Sequence, residues 1–243
     1  MKISLKGFVK RQLKRLPLRV TKNQKYDYLT GKIIKQKLNP KSNCIDVGCF
    51  EGEILDLFLA QAPEGHHLGF EPIPVKYHQL VGKYNACENI KIYNVALSNE
   101  EGFTDFNYVK SNPSYSGIKK RDYDRPNEQE EQIKVKTAIL DQYVPDTMTI
   151  DLIKIDVEGA EYLVLEGARK TITRSKPVII FEHGLGASDK YGYSPSDLMD
   201  LLHSFGMQIY NLDSYLVGGK CLNADDFNRQ FYEKIDYYFV AHV

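Results

Sequence analysis

The stretch NCIDVGCFEGEILDLF, residues 43–58, holds a glycine-containing turn between an apolar run and an amphipathic run. Gly48 and Gly52 lie in this turn. Asp46 comes before Gly48, and Glu51 lies between the two glycines. Because glycine has no Cβ, it lets the backbone approach a ligand and lets a following helix pack close to a strand. The turn therefore has the residue types of a nucleotide-binding loop.

The acids of the turn indicate the charge of the expected ligand. The glycine spacing departs from the G-x-G-x-x-G pattern that binds the pyrophosphate of a dinucleotide. Glu51 stands at the predicted start of a helix, where it would repel a phosphate and attract a cation. We therefore expect a phosphate-free, positively charged nucleoside, and S-adenosylmethionine, with its sulfonium and amino groups, fits this description.

Further polar residues follow the next two predicted strands. Glu71 ends the strand in HHLGFEP, where an acid is expected to accept hydrogen bonds from both ribose hydroxyls. Its alternative role is that of a solvated acid at a strand end. Asn94 and Ala96, in NVALS, are candidates for the adenine slot, with ordinary strand-end packing as the alternative.

A second group of acids follows the apolar strand in IDLIKIDVEG. Asp156 lies at the expected carboxyl end of that strand, facing the same crevice as the glycine turn, and is a catalytic candidate. Glu158 is a second candidate. Glu158 and Glu161 also fall near the start of the next helix, where acids complement the helix dipole without any catalytic role.

The segment FEHGLG places Glu182 and His183 at the end of a further predicted strand. His183 is a candidate general base, since an imidazole with a near-neutral pKa can take the proton of an acceptor hydroxyl. Alternatively, Asp156, Glu182 and His183 could bind a divalent metal that lowers the pKa of that hydroxyl. The sequence does not choose between these roles.

Alternating strands and helices must bring these residues together. Apolar runs separated by helical patterns of ten to fifteen residues predict βαβ units and a mostly parallel sheet covered on both faces. No helix is predicted between the last two strands, MQIYNL and IDYYFVAH, which favours a terminal antiparallel pair. The polar stretch 110–131 is predicted to be a long loop, and its SNPSYSG core is expected to cover the acceptor site.

The charge is unevenly distributed, although the chain is neutral overall. Residues 1–41 carry a charge of +12 and the rest carries −12. The acidic body is not expected to bind nucleic acid through a general basic surface. The basic amphipathic segment 2–19 could contact an anionic membrane, the acidic body or a partner subunit.

The composition predicts the cellular compartment of the protein and its number of domains. The four cysteines show no CxxC spacing, and no apolar run is long enough for a membrane span or a secretory signal. A reducing, cytoplasmic location is therefore expected. Membrane-peripheral contact through the arm is one of the three alternatives for that segment. The predicted division is an arm and helix over residues 1–41 and one domain over residues 42–243; the oligomeric state is left open.

Six segments, in this order, resemble the FkbM-type methyltransferases: CIDVGCFEGE, GFEPIP, NIKIYNVALSNEEG, AILDQY, DLIKIDVEGAEYLVLEGA and PVIIFEH. The resemblance implies an α/β class I methyltransferase fold, Rossmann-like and doubly wound, with a mostly parallel seven-stranded sheet and a terminal antiparallel strand. It also carries over Asp46, Gly48, Glu51, Gly52 and Glu71 as cofactor contacts. Cys49 and Phe50 depart from the usual DVGANxG turn, which loses one polar contact.

The expected function is S-adenosylmethionine-dependent O-methylation of a hydroxyl on a small molecule or glycan, since bacterial members of the family often modify surface polysaccharides. A divalent metal remains an open addition. A nicotinamide oxidoreductase is the alternative enzyme, disfavoured by the missing third glycine and by Glu51. A non-catalytic, cofactor-binding scaffold recruited by its basic arm is the alternative outside enzymes.

Overall fold

A computed structural model describes residues 21–243. Seven strands form the main sheet in the order β3-β2-β1-β7-β8-β10-β9, and β10 alone runs antiparallel to its neighbours. This is the class I methyltransferase fold that the sequence predicts. The strands, numbered along the chain, are β1 Cys44–Val47, β2 His67–Phe70, β3 Ile90–Tyr93, β4 Ala96–Leu97, β5 Gly102–Val109, β6 Glu130–Ala138, β7 Leu152–Ile155, β8 Val178–Glu182, β9 Gln208–Asn211 and β10 Tyr238–His242.

Helices cover both faces of the main sheet. The α-helices of the described residues are α1 Lys22–Lys37, α2 Glu53–Gln61, α3 Pro74–Lys83, α4 Glu161–Glu166, α5 Arg169–Ser175, α6 Pro195–Ser204, α7 Leu212–Leu216 and α8 Ala224–Tyr232. One core joins the sheet to α4, α5, α6 and α8, and a second joins it to α1, α2, α3 and α7. The sheet is therefore doubly wound, as expected for parallel strands that are apolar along their whole length.

The central strands place two charges inside the sheet. All four residues of β1 and of β7 are buried, and their register pairs Asp46 with Lys154. By strand alternation, both side chains lie on the face that carries Cys44 and Leu152. The sheet thus holds an acid and a base side by side near its carboxyl edge.

A second sheet, in the order β4-β6-β5, lies beside the first. The segment NIKIYNVAL is predicted as one strand, but the structure divides it into β3 and β4. Between them, Asn94 Nδ2 donates hydrogen bonds to the carbonyl oxygens of Glu71 and Pro72, and β4 pairs with β6 instead of continuing the main sheet. The added strand in FTDFNYVK is confirmed as β5, which forms an antiparallel hairpin with β6.

The antiparallel pairing of the last two strands is confirmed, but the prediction of no helix between them is wrong. Helix α7 has five residues, too few to show a helical period. Helix α8 begins at the N-cap Asn223 and buries Phe227 and Phe231, which are four residues apart on one face. Both rings stack on the imidazole of His183.

Helix α1 packs directly on the sheet domain. Thr21 and Gln24 form a capping box at its start, and Tyr26 and Ile33 are buried in the same core as Leu212 of α7. The predicted arm of residues 2–19 lies outside the described residues. None of the helices within residues 21–243 is both long enough and apolar enough to cross a membrane.

Candidate active site

A pocket opens beyond the carboxyl ends of β1, β2 and β7. This is the point where strand order reverses, since β2 and β3 lie on one side of β1 and β7 lies on the other. Its lining comprises Val47, Gly48, Phe50, Phe70, Glu71, Pro72, Ile73, Val95, Ala96, Leu97, Phe106, Pro113, Ser114, Ser116, Ile118, Asp156, Val157, Glu158 and Ala160.

The glycine turn forms one wall of this pocket. Gly48 has φ +84°, and a Cβ there would lie 2.0 Å from the carbonyl oxygen of Asp156. The amides of Gly48 and Cys49 both donate to the carbonyl oxygen of Phe70, which fixes the turn against β2. Gly48 is therefore required by the close approach of the β1 and β7 ends.

Glu71 lies at the carboxyl end of β2 and lines the pocket. Its two carboxylate oxygens accept hydrogen bonds from the amides of Phe50 and Ile73, both at 2.9 Å. The side chain is 3% exposed, and this burial raises the pKa of Glu71 to about 7. Each oxygen keeps a second lone pair, so the carboxylate can still accept hydrogen bonds from a ligand.

The structure brings only some of the predicted cofactor residues to the pocket. Gly48, Glu71 and Ala96 line it. Glu51 does not, because its carboxylate pairs with Lys76 at 3.0 Å and is 57% exposed.

Three further residues that were predicted as cofactor contacts do not line the pocket but lie next to its wall. Gly52, with φ +77°, is the N-cap of α2, and Asn94 holds the end of β2 through its amide. Asp46 is 1% exposed, and neither carboxylate oxygen has a hydrogen-bond partner among the described residues. Burial raises the pKa of Asp46 to about 7, while the nearby Lys154 opposes this.

Asp156 lines the pocket at the carboxyl end of β7, where the sequence predicts it. Lys154 Nζ lies 2.5 Å from its Oδ2, and the hydroxyl of Tyr238 donates to the same oxygen. Although burial opposes ionisation, Lys154 and these hydrogen bonds lower the pKa of Asp156 to about 2. The carboxylate is thus ionised and firmly held.

Glu158 also lines the pocket, and its φ of 56° is unusual for a residue other than glycine. Its Oε2 pairs with Nη1 of Arg121, whose guanidinium lies 4.6 Å from the ring centroid of Tyr115. Burial raises the pKa of Glu158 to about 8, and Arg121 acts in the opposite direction. Asp156 and Glu158 are only two residues apart, but the pKa of Asp156 is lowered and the pKa of Glu158 is raised.

The geometry of the predicted metal set differs from the expectation. Carboxylate oxygens of Asp156, Glu158 and Glu182 lie within 4.8 Å of one another, and His183 does not belong to this group. Lys154 and Arg121 already compensate Asp156 and Glu158, so the charge of the cluster does not by itself require an ion. Metal binding stays a prediction.

His183 does not lie at the pocket. It is fully buried, and neither ring nitrogen has a partner among the described residues. Its ring stacks on Phe231 and Phe227 of α8, with centroids 4.6 and 5.5 Å away, and on Tyr193. Burial lowers the pKa of His183 to about 3, so the imidazole is neutral and poorly placed to act as the predicted base. The unpredicted helix α8 explains the difference.

Glu161 has the structural role that its position suggests. It is fully buried, and its Oε1 accepts hydrogen bonds from the amides of Val157 and Gly159. The carboxylate therefore shapes the turn that carries Glu158.

The loop between β5 and β6 covers the pocket, as its length suggests. Pro113, Ser114, Ser116 and Ile118 line the cavity, and the loop is tied to the segment after β8. The amide of Asp122 donates to the carbonyl oxygen of Gly186, and that of Lys119 donates to the hydroxyl of Tyr191.

Sequence reasoning missed several residues that line or support the pocket. Phe50 and Phe106 line it. Tyr238, on the last strand, and Arg121, one of many charges in a polar loop, do not line it but contact Asp156 and Glu158. Only the position of Phe50 between the two turn glycines offered a local signal.

Comparisons with known proteins agree with this fold. The model of the methyltransferase FkbM domain matches residues 46–209, which is more than half of the chain. A 2-O-methyltransferase, NoeI of Sinorhizobium fredii, is 26% identical over 154 residues. That match covers 56% of this chain and 61% of the relative, so the chain spans less than two thirds of the relative's length.

Solved structures show the same fold. An FkbM methyltransferase from Methylobacillus flagellatus superposes with a TM-score of 0.51 at 16% identity, covering 85% of this chain and 44% of that one. A fibrillarin from Aeropyrum pernix with bound S-adenosyl-L-methionine has a TM-score of 0.47 at 14% identity, over 89% of this chain and 74% of that one, which is too distant to carry over any property. With the family model matching from the first strand to β9, the chain belongs to the FkbM methyltransferase domain family.

Proposed function

We propose that this protein transfers a methyl group from S-adenosylmethionine to a hydroxyl of its acceptor. The observation that carries the proposal is the residue composition of the pocket lining. Among the described residues that form it, the ionisable groups are the carboxyls of Glu71, Asp156 and Glu158, and none is Lys, Arg or His. A pocket lined by acids and apolar groups favours a cationic nucleoside over a phosphorylated one.

The residues present fit the two ends of such a ligand. Glu71 is an acid with free acceptor capacity at the end of β2, suited to a ribose diol. Val95, Ala96 and Phe106 offer an apolar slot of the kind that an adenine ring needs. The orphaned, buried carboxylate of Asp46 adds negative potential beneath the turn.

The bound S-adenosylmethionine supplies an electrophilic methyl group on its sulfonium. Glu158 is the better proton acceptor for the attacking hydroxyl, because it lines the pocket and burial raises its pKa, whereas Lys154 lowers the pKa of Asp156. Asp156, held ionised by Lys154 and Tyr238, is too weak a base for that step. It instead supplies a fixed negative charge at the pocket wall.

The family and the printed activity of the NoeI relative support oxygen as the acceptor atom. A nicotinamide cofactor is disfavoured by the same lining, since its pyrophosphate would face three carboxyl groups with no cation from the pocket wall.

Calorimetric titration of the purified protein with S-adenosylmethionine, and separately with NAD, tests the cofactor. The wild type should bind the first and not the second. Glu71→Gln should weaken binding about tenfold or more, as expected for a lost hydrogen bond to a charged group. Glu88→Gln is the matched control, because Glu88 is exposed and does not line the pocket.

Binding of NAD, or an equal effect of the two substitutions, would contradict the cofactor assignment. Transfer of an isotope-labelled methyl group to a panel of neutral saccharides and other alcohols then tests the acceptor. Glu158→Gln should abolish transfer. Glu166→Gln should leave it unchanged, because Glu166 lies at the end of α4 and its carboxylate pairs with Arg169 of α5.

A further inference from the structure

Phe50 adopts a backbone conformation that is unfavourable for its residue type. Its φ is +49°, in the left-handed region that bulky side chains rarely enter. A residue held in this region costs about 1–3 kcal/mol and persists only where its surroundings enforce it.

The surroundings of Phe50 fix both its backbone and its ring. Its amide donates to Glu71 Oε2 at 2.9 Å, and Lys76 Nζ lies 4.1 Å from the ring centroid. Lys76 is in turn held by Glu51. The ring is half-buried and lines the pocket between the glycine turn and the end of β2.

The other residues with positive φ help to interpret this strain. Among the described non-glycine residues they are Asn127, Glu158, Lys176 and Lys234. Asn tolerates this region, and the two lysines follow helices, where a left-handed residue is common. Phe50 and Glu158 lack such an explanation, and both line the pocket.

We propose that Phe50 is a binding residue for the cofactor, held in a strained turn so that its ring forms a rigid apolar wall of the pocket. This inference rests on the proposed function, because it takes S-adenosylmethionine as the ligand. The strain is maintained by Glu71, so one carboxylate both faces the pocket and orients the neighbouring ring.

The experiment combines affinity with stability, because a ligand-binding role and a core-packing role predict opposite results. Phe50→Gly removes the ring, adds no polar group and introduces a residue that adopts the left-handed conformation without strain. Its dissociation constant for S-adenosylhomocysteine should rise about tenfold or more, the order expected when an apolar pocket contact is lost. Its melting temperature without ligand should equal or exceed that of the wild type, since the strain is relieved.

Phe103→Gly is the matched control for affinity, because Phe103 is 72% exposed on β5 and does not line the pocket. A second variant adds a direct signal. The chain contains no tryptophan, so Phe50→Trp places a single tryptophan at the pocket wall. Its emission should shift and saturate as S-adenosylhomocysteine is added.

Three results would overturn the inference: unchanged affinity in Phe50→Gly, a melting temperature of that variant well below that of the wild type, or unresponsive emission in Phe50→Trp although ligand binds. Failure of the wild type itself to bind S-adenosylmethionine or S-adenosylhomocysteine is a different result. It contradicts the proposed function, and the inference with it.

Discussion

The hydroxyl of Tyr238, on the last strand of the sheet, donates a hydrogen bond to Oδ2 of Asp156, 82 residues earlier in the chain. The antiparallel strand β10 thus supports an acid at the carboxyl end of β7. The Tyr238 ring also stacks on Tyr26 of α1, with centroids 5.2 Å apart. The last strand and the first described helix therefore meet behind the pocket.

This contact predicts the effect of Tyr238→Phe. The substitution keeps the ring but removes a hydrogen bond to an ionised carboxylate, so it should lower the free energy of unfolding by about 1.5–3 kcal/mol. Tyr237→Phe is the neighbouring control, because that hydroxyl donates to Asn23 near the surface and its loss should cost less than about 1 kcal/mol. Urea denaturation measures both, and equal losses would argue against a special role for Tyr238.

Replacement of two glycines by alanine should change the stability of the protein in opposite directions. Gly48→Ala must destabilise the protein, by roughly 2 kcal/mol or more, because the new Cβ would meet the Asp156 carbonyl in a backbone with positive φ. Gly82→Ala lies in α3 with nothing within 4 Å, and it should stabilise the protein by about 0.5–1 kcal/mol. Thermal unfolding of the two variants provides the comparison, and a stable Gly48→Ala protein would show that the turn is looser than described.

Arg121 should hold the covering loop in place. Arg121→Gln breaks a largely buried pair with Glu158, so amides within residues 110–129 should exchange hydrogen about tenfold faster or more. Lys120→Gln is the adjacent control, since Lys120 pairs with Glu130 at an exposed site. Hydrogen exchange followed by mass spectrometry resolves the loop. Similar exchange in both variants would mean that the contacts of Lys119 and Asp122 suffice.

Buried carboxyls should make the protein less stable as the pH rises. Burial raises the pKa of Asp46 and of Glu161 to about 7 in the folded protein. The folded state therefore binds more protons than the unfolded state between about pH 4 and pH 7, and the free energy of unfolding falls through that window. Each group contributes at most about 1.4 kcal/mol per pH unit.

Asp46→Asn should flatten this dependence when unfolding is measured at pH 5 and at pH 8. Asp197→Asn is the control, because hydrogen bonds from Ser194 lower the pKa of Asp197 and its titration falls below the window. That variant should lose the same stability at both pH values. An unchanged slope in Asp46→Asn would indicate that Lys154 keeps Asp46 ionised throughout.

Local sequence was enough to predict the mostly parallel sheet and part of the pocket wall. Buried parallel strands appear as apolar runs, and a left-handed turn requires glycine, so β1, Gly48 and the end of β2 at Glu71 follow from neighbouring residues. The same logic located Asp156, because a charge directly after an apolar strand must lie at the sheet edge.

The assignments that failed depended on distant partners. Glu51 has the sequence position of a ligand contact, but Lys76 on α3 draws it to the surface. His183 follows a strand as a base should, yet Phe227 and Phe231 of a helix more than forty residues later bury its ring. The residues next to Glu51 and His183 in the sequence do not indicate either interaction, because the partners lie far away along the chain.

The sequence by itself determined a mostly parallel α/β sheet with a terminal antiparallel pair and the acidic character of the site, because periodicity and glycine requirements act over a few residues. The resemblance to the FkbM-type methyltransferases added the class I methyltransferase fold. Only the tertiary structure decided which acids face the pocket and how strongly each holds its proton. Asp156 and Glu158 show why: they are two residues apart, but Lys154 and Tyr238 lower the pKa of one, whereas burial raises the pKa of the other. A pKa depends on burial and on neighbouring charges in space, and these exist only once the chain has folded.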